Sequence, residues 1–507
     1  MALRRHAVAL VLLFLSTTLQ AQDLATFEGT VTEHQLSNGM RFIIVERHEV
    51  PVISFHTYAD VGSVDEEAGV SGMAHMFEHM AFKGTSDIGT KDIEAERKAL
   101  AKVDEAYAAL QEEQRRGSGS DATQLEELQR AFERAKEDAA GFAESNEYSR
   151  IIEENGGVGL NAGTGFDSTT YYINFTSNKL ELWFSLESAR FLDPVFREFY
   201  RERDVVIEER LLRVESQPVG KLIEEYLSVA YKAHPYGRNA IGWKSDLNNM
   251  TRDQAKRFFT KYYTPPNLTA VIVGDVDAKE VVRLAELYFG RIPKGPSPET
   301  LWTVEAPQVG ERRLEVYARA QPVLLMGFHK PSINHPDDAV FDAVQDVLSG
   351  GRTSRIYRSL VQDKKIAMAA GGFPGFPGHK YPNQFLFYSF PTAGHTNEEN
   401  EEAMLAEIDH LKTEWVTEEE LSRVKRRARA DLIGGLDSNA GLASQLAYYD
   451  VLTGVWRNLF RAIESIDEVS REDIQRVANE YFTERNRTVA YLIPDVPAKP
   501  SGNQEAN

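Results

Sequence analysis

Two histidines four residues apart, His75 and His79, bracket Glu78 in the run His75-Met76-Phe77-Glu78-His79. On a helix, residues spaced by four lie on one face with about 5–6 Å between their Cβ atoms, close enough to share one metal ion. Glu78 follows His75 by three positions and projects toward the same side. Two neutral imidazoles suit Zn2+, and a carboxylate beside a zinc-bound water can take its proton as a general base. The chemistry within reach of such a set is metal-assisted hydrolysis.

With 12 histidines in 507 residues, the pattern H-x-x-E-H arises by chance at a level of about a few per cent. The flanking residues argue against chance. Gly69-Val70-Ser71-Gly72-Met73-Ala74 precedes the motif and Met80-Ala81-Phe82-Lys83-Gly84-Thr85 follows it. They describe a mostly buried helix over about 71–83, with Ser71 as N-cap and Gly84 as the residue just past the end. Histidine and glutamate on an otherwise apolar helix need partners, and a metal supplies them. The order is the inverse of H-E-x-x-H, and it is a known zinc-site signature.

A tetrahedral site with one open position needs a third protein ligand. The best candidates lie in Arg201-Glu202-Arg203-Asp204-Val205-Val206-Ile207-Glu208-Glu209-Arg210. Glu202 and Glu209 are two helical turns apart and share a face; Asp204 and Glu208 point elsewhere. One carboxylate could ligate while the other orients a metal-bound imidazole. Spacing alone does not choose between them.

The elements that must hold these groups follow from the hydrophobic pattern. Arg41–Val45 and Val52–Tyr58 read as strands, with the turn at Arg47–Val50. Heptad-spaced residues on either side of Gly117-Ser118-Gly119-Ser120-Asp121 predict an antiparallel helical hairpin inserted at about 91–145. A strand at Thr169–Phe175, helices at Lys179–Arg190 and Glu198–Glu215, a buried strand at Leu268–Asp275 and a helix at Ala278–Phe289 complete a first unit. Strands at Leu314–Tyr317, Val323–Phe328, Gln384–Tyr388 and Arg487–Leu492, with helices at 337–348, 354–362, 398–411 and 418–433, repeat the plan. Gly371 to Gly378 reads as a loop or plain turn. The expected fold class is α+β: two homologous α/β-sandwich domains, a duplication. Their expected bounds are 22–295, carrying the zinc, and 310–493, followed by a loose tail over 494–507.

Length alone calls for at least two domains. The 57 Lys and Arg against 77 Asp and Glu give a formal net charge of −20, which argues against nucleic acid and anionic membrane surfaces as partners. Arg4-Arg5, the apolar run Ala7–Leu15 and Leu19-Gln20-Ala21 predict a cleaved secretory signal over 1–21. No segment reaches the length of a membrane span. The chain has no cysteine, so disulfides and thiolate ligands are excluded and a bacterial periplasm is the expected compartment.

Gly72–Thr85, Asn161-Ala162 with Asp167 and Tyr171, Glu202–Glu209, His234-Pro235-Tyr236-Gly237, Tyr263–Asn267 with Val273-Gly274-Asp275, and Ser354-Arg355-Ile356-Tyr357 together span nearly the whole mature chain. In these motifs the sequence resembles the pitrilysin (insulinase) family of inverted-motif zinc peptidases, in its mitochondrial processing peptidase-like branch. The resemblance implies one Zn2+ held by His75, His79 and Glu209, with Glu78 as base and Glu202 in support. It also implies that Asn161 and Ala162 lie on an edge strand that captures substrate backbone. One departure stands out. Active relatives carry an Arg and, seven residues on, a Tyr in the second half; the matching positions here are Val361 and Met368. The resemblance therefore implies the zinc-bearing half of a clamshell, a metalloendopeptidase for peptides or unfolded segments. Its partner would be a sister subunit supplying that pair in a heterodimer, or else a second copy in a homodimer. The rival reading is a non-catalytic peptide-binding or assembly protein on the same scaffold.

Overall fold

The computed structural model of the chain describes residues 27–297 and 299–495. The expected signal, 1–21, and residues 496–507 of the expected tail lie outside the described residues. The first unit opens with β1 (Val31–Gln35), β2 (Arg41–Glu46), β3 (Val52–Ala59) and α1 (Met73–Met80). Next come α2 (Ile93–Arg115), α3 (Ala122–Ala140), α4 (Glu147–Glu154), β4 (Val158–Thr164) and β5 (Thr169–Thr176). It closes through α5 (Leu180–Leu192), α6 (Phe199–Arg210), a π-helical turn at Leu211–Glu215, α7 (Pro218–Ala230), α8 (Lys244–Asn249), α9 (Arg252–Tyr262), β6 (Leu268–Gly274) and α10 (Ala278–Tyr288). The second unit contains β7 (Arg312–Ala318), β8 (Val323–Lys330), α11 (Asp338–Ser349), a π-helical turn at Tyr357–Asp363, β9 (Ala367–Phe376) and β10 (Asn383–Pro391). It ends with α12 (Asn397–Thr413), α13 (Glu418–Asp437), α14 (Asn439–Thr453), α15 (Asn458–Glu468), α16 (Arg471–Tyr481) and β11 (Arg487–Pro494).

The sheets run β1-β2-β6-β3-β5-β4 and β7-β11-β8-β10-β9. Without β1 the two orders correspond strand for strand. The parallel pair recurs as β2/β6 and β7/β11. This is a duplicated α+β plan with helices on both faces of each sheet. The central strands are continuous apolar runs because both faces are covered; β6 is buried at every residue.

Part of that cover is exchanged. Helix α14 of the second unit packs on β3 and β6 of the first sheet, where Leu442, Ala443, Leu446 and Ala447 meet Ile43, Val45, Val271 and Val273. In return α7 of the first unit lies on β7 and β11, its Leu222, Tyr226 and Leu227 against Leu325, Ala490 and Leu492. The turns that follow β4 and β9 also meet. Asp167 accepts from the Tyr236 hydroxyl and from the backbone N–H groups of His379 (2.6 Å) and Lys380 (3.1 Å).

Several local expectations are corrected. The stretch read as a loop, Gly371 to Gly378, is largely strand: β9 pairs with β10 as the edge of the second sheet, Phe373 opposite Leu386. An edge strand needs one paired side only, so its Gly and Pro content is tolerated. The helix expected over 354–362 becomes a π-helical turn over most of its length. The polar lead carries β1, half-exposed and therefore without a clear alternation. Pro494, assigned to the tail, still pairs with Ala318 at the end of β11.

The hairpin α2–α3 is tied to the segment after α1 by one buried guanidinium. Arg197, 2% exposed, donates to Glu96 on α2 at 2.8 Å, and to the Thr85 and Ile88 carbonyls at 2.7 and 2.8 Å. Removing one member of such a pair strands the other, so Arg197→Met should cost about 3–5 kcal/mol in chemical denaturation. Adding Glu96→Leu should recover only the part due to the stranded carboxylate, because the Thr85 and Ile88 carbonyls still lack their donor.

Candidate metal centre

The helix that carries the motif is short, Met73–Met80, and enters through Gly72 in the left-handed region (φ 88°). A Cβ there would sit 2.5 Å from the Ile241 carbonyl oxygen, so only glycine fits. Ser71 does not cap the helix. Its hydroxyl donates to Asp246 (2.7 Å) and accepts from the Trp243 N–H (2.9 Å), fastening the loop before α8. The cap comes instead from Glu66, whose two carboxylate oxygens accept from the N–H groups of Gly72 and Ala74, both at 2.8 Å. Burial pushes the Glu66 carboxyl up to about 8, against the pull of those two N–H donors. At the other end Ala81 takes the C-cap place expected near Gly84.

From this helix the imidazoles face α6. His75 Nε2 lies 3.5 Å, and His79 Nε2 3.4 Å, from the same oxygen of Glu209. One ligand atom from each of the three residues lies within 4.8 Å of the others. Burial holds the His75 imidazole down at about 4, in the neutral form that ligates. Its Nδ1 is buried and has no hydrogen-bond partner among the described residues. His79 is half-buried; desolvation would lower its pKa, but Glu202, Glu209 and Glu78 outweigh it and raise it. Glu202 sits 3.4 Å from His79 Nδ1 and is paired with Lys83, which also reaches Glu198 at 3.3 Å. Burial would raise the Glu202 carboxyl; contacts with His79 and Lys83 lower it. The second oxygen of Glu209 pairs with Arg213 at 2.9 Å.

Two imidazole nitrogens and a carboxylate oxygen facing one point make a donor set suited to Zn2+, three protein donors of the four a tetrahedral ion takes. Glu78 shares the helix, half-buried, with no ion pair among the described residues. Asn161 and Ala162 lie on β4, the free edge of the first sheet, which packs against α1. They pair with Tyr172 and Tyr171 on the inner side only. Asn161 is exposed and its side-chain oxygen accepts from the Ala162 N–H at 2.9 Å.

Residues 41–113 and 138–243 match the family described as Insulinase (Peptidase family M16), and residues 249–428 match the Peptidase M16 inactive domain. The chain belongs to the insulinase family of peptidases, M16. The unmatched stretch 114–137 is the outer part of the α2–α3 hairpin, in line with an insertion. Among its M16 relatives, a zinc protease, PqqE, of Helicobacter pylori is 27% identical, over 96% of this chain and 97% of the relative. The mitochondrial-processing peptidase subunit beta of Saccharomyces cerevisiae is 24% identical, over 89% and 88%. A solved protease structure from Helicobacter pylori superposes with a TM-score of 0.77 at 26% identity, covering 92% of this chain and 99% of that one.

Spacing arguments missed Glu66 and Lys83, each of which acts across a break in local structure, and also Arg213, although it lies four residues after Glu209 at ordinary helical spacing. Glu66→Ala leaves two helix N–H groups without partners, each worth about 1–3 kcal/mol when buried. A loss of about 2–4 kcal/mol is expected by urea denaturation, and Glu66→Gln should recover part of it through its single acceptor oxygen.

Proposed function

We propose that the chain is a zinc-dependent endopeptidase for peptides or unfolded segments, with His75, His79 and Glu209 as the metal ligands. The convergence of their three ligand atoms within 4.8 Å carries this reading. Zinc, when bound there, supplies a Lewis acid that polarises the scissile carbonyl and acidifies water. Glu78 takes the proton of the attacking water and returns it to the leaving amine. Glu202, fixed by Lys83, holds the His79 ring in the tautomer that ligates through Nε2. The substrate lies extended along the free edge of β4 beside Asn161 and Ala162, where backbone hydrogen bonds give affinity without sequence demands.

The active assembly is proposed to contain a second M16-type subunit. The yeast relative is itself named a subunit. Val361 falls in the second π-helical turn, and Met368 lies 58% exposed on the edge strand β9; neither can donate to a substrate carbonyl as Arg and Tyr would. Export to the periplasm is proposed from the leader. Among the described residues no helix is long and apolar enough to cross a membrane.

Glu78→Gln should keep stoichiometric zinc and lose hydrolysis of a quenched peptide, whereas His79→Ala should lose both. Comparable turnover in Glu78→Gln would refute the base assignment, and full zinc in a protein that never cleaves, alone or with a sister subunit, would favour the peptide-binding alternative. Glu202→Gln should weaken zinc by about 10–100-fold in chelator competition.

A further inference from the structure

The inserted hairpin encloses space of its own. Midway along it, three rings wedge α2, α3 and α6 together: Tyr107, Phe132 and Tyr200, with centroids 4.6 to 5.3 Å apart. Nearer the root, α3 contributes Ala139, and Ala143 follows just past its end. Such short side chains cannot span a separation set by rings, and a cavity of about 350 Å3 remains. That volume falls at the lower end of the range for small-molecule sites, about 300–1,000 Å3. Leu100 and Val103 of α2, with Phe199 and Tyr200 of α6, complete its apolar wall. None of the proposed metal ligands lines it.

Charged residues line the cavity too, and all but one are already paired within the chain. Arg197 donates to Glu96 at 2.8 Å, and Lys136 meets Glu133 at 2.9 Å. Arg252 meets Asp104 at 3.1 Å, and Glu198 lies 3.3 Å from both Lys83 and Arg201. The Tyr200 hydroxyl donates to Asp104 at 3.3 Å. The exception is Glu137, exposed and without an ion pair among the described residues. Glu133, Ala140 and Arg201 are exposed as well, and with Glu137 they mark the side open to solvent. Glu133, Lys136 and Glu137 fall in the stretch 114–137 that the M16 family model leaves unmatched, so this space belongs to the insertion rather than to the shared fold.

We propose that this cavity is a binding site for a small amphipathic amine, its apolar body against Leu100, Val103, Ala139, Phe199 and Tyr200 and its ammonium at Glu137. A space walled by apolar side chains holds water poorly and takes up apolar groups of matching size. The charge at the mouth then sets the choice of head group. A cation gains the one uncommitted carboxylate. An anion meets that same carboxylate, and finds Lys136, Arg201 and Arg252 only by breaking pairs they already make.

The test titrates phenethylamine and its carboxylate counterpart, hydrocinnamate, into the full chain by ligand-observed NMR. The measurement needs neither zinc nor turnover, so it stands or falls apart from the peptidase reading. Saturable binding of the amine is expected, with a Kd of about 1 mM or lower for a ligand of this size. The carboxylate should bind more weakly by about fivefold or more, the scale of one partly screened charge pair turned from attraction to repulsion. Ala139→Phe, which fills the space, should abolish binding of both. Glu137→Gln should keep the binding and erase the preference for the amine. The proposal is overturned by an amine that does not saturate, by a carboxylate that binds as tightly, or by an affinity that Ala139→Phe leaves unmoved. Should Ala139→Phe not fold, Glu137→Gln decides: a preference lost with it supports the site, and a preference retained overturns it.

Discussion

A carboxylate and two imidazoles crowded around one point, partly withdrawn from water, set the demand that the surrounding structure meets. Such groups are costly to bury without compensation, and their mutual geometry must hold to a fraction of an ångström to be useful. The helix that carries two of them has only eight residues, far below the length at which a helix persists by itself. Its order is imposed from outside: Glu66 at the start, the Ser71–Asp246 contact beneath, and Lys83 with Arg197 beyond the end. The third group comes from α6, whose register against α1 is fixed by the chain His79–Glu202–Lys83.

This arrangement divides labour between charge and packing. Lys83 and Arg213 each engage one acidic residue of the cluster, so the two carboxylates do not simply repel. Behind them the aromatic core around Phe77, Phe196, Phe259 and Tyr263 gives α1 a hard surface to rest on. The free edge of β4 is then a fixed distance from the imidazoles, because strand and helix share that core.

What the sequence discloses depends on how local the cause is. The His–Glu–His face follows from helical spacing alone, and the central strands from unbroken apolar runs buried on both sides. The paired glutamates were visible as a shared face, but their roles were not, since the partner of each lies on another helix. Glu66 was invisible because a carboxylate capping from six residues upstream, through an irregular loop, leaves no periodic trace. Strand β9 hid behind its glycines and prolines, which signal a turn unless the pairing on one side is known. Helices α7 and α14 went unread for a different reason: amphipathic spacing shows that a helix buries a face, not which sheet receives it.

The exchange of α7 and α14 bears on how the molecule is made. The outer face of the first sheet stays uncovered until α14 has been synthesised, more than 150 residues after β6. A nascent or truncated chain ending before that point would expose Ile43, Val45, Val271 and Val273 to solvent, leaving β3 and β6 unsupported on the side opposite α1. The candidate metal centre therefore rests on a sheet whose second cover is made only after β6 and most of the second unit.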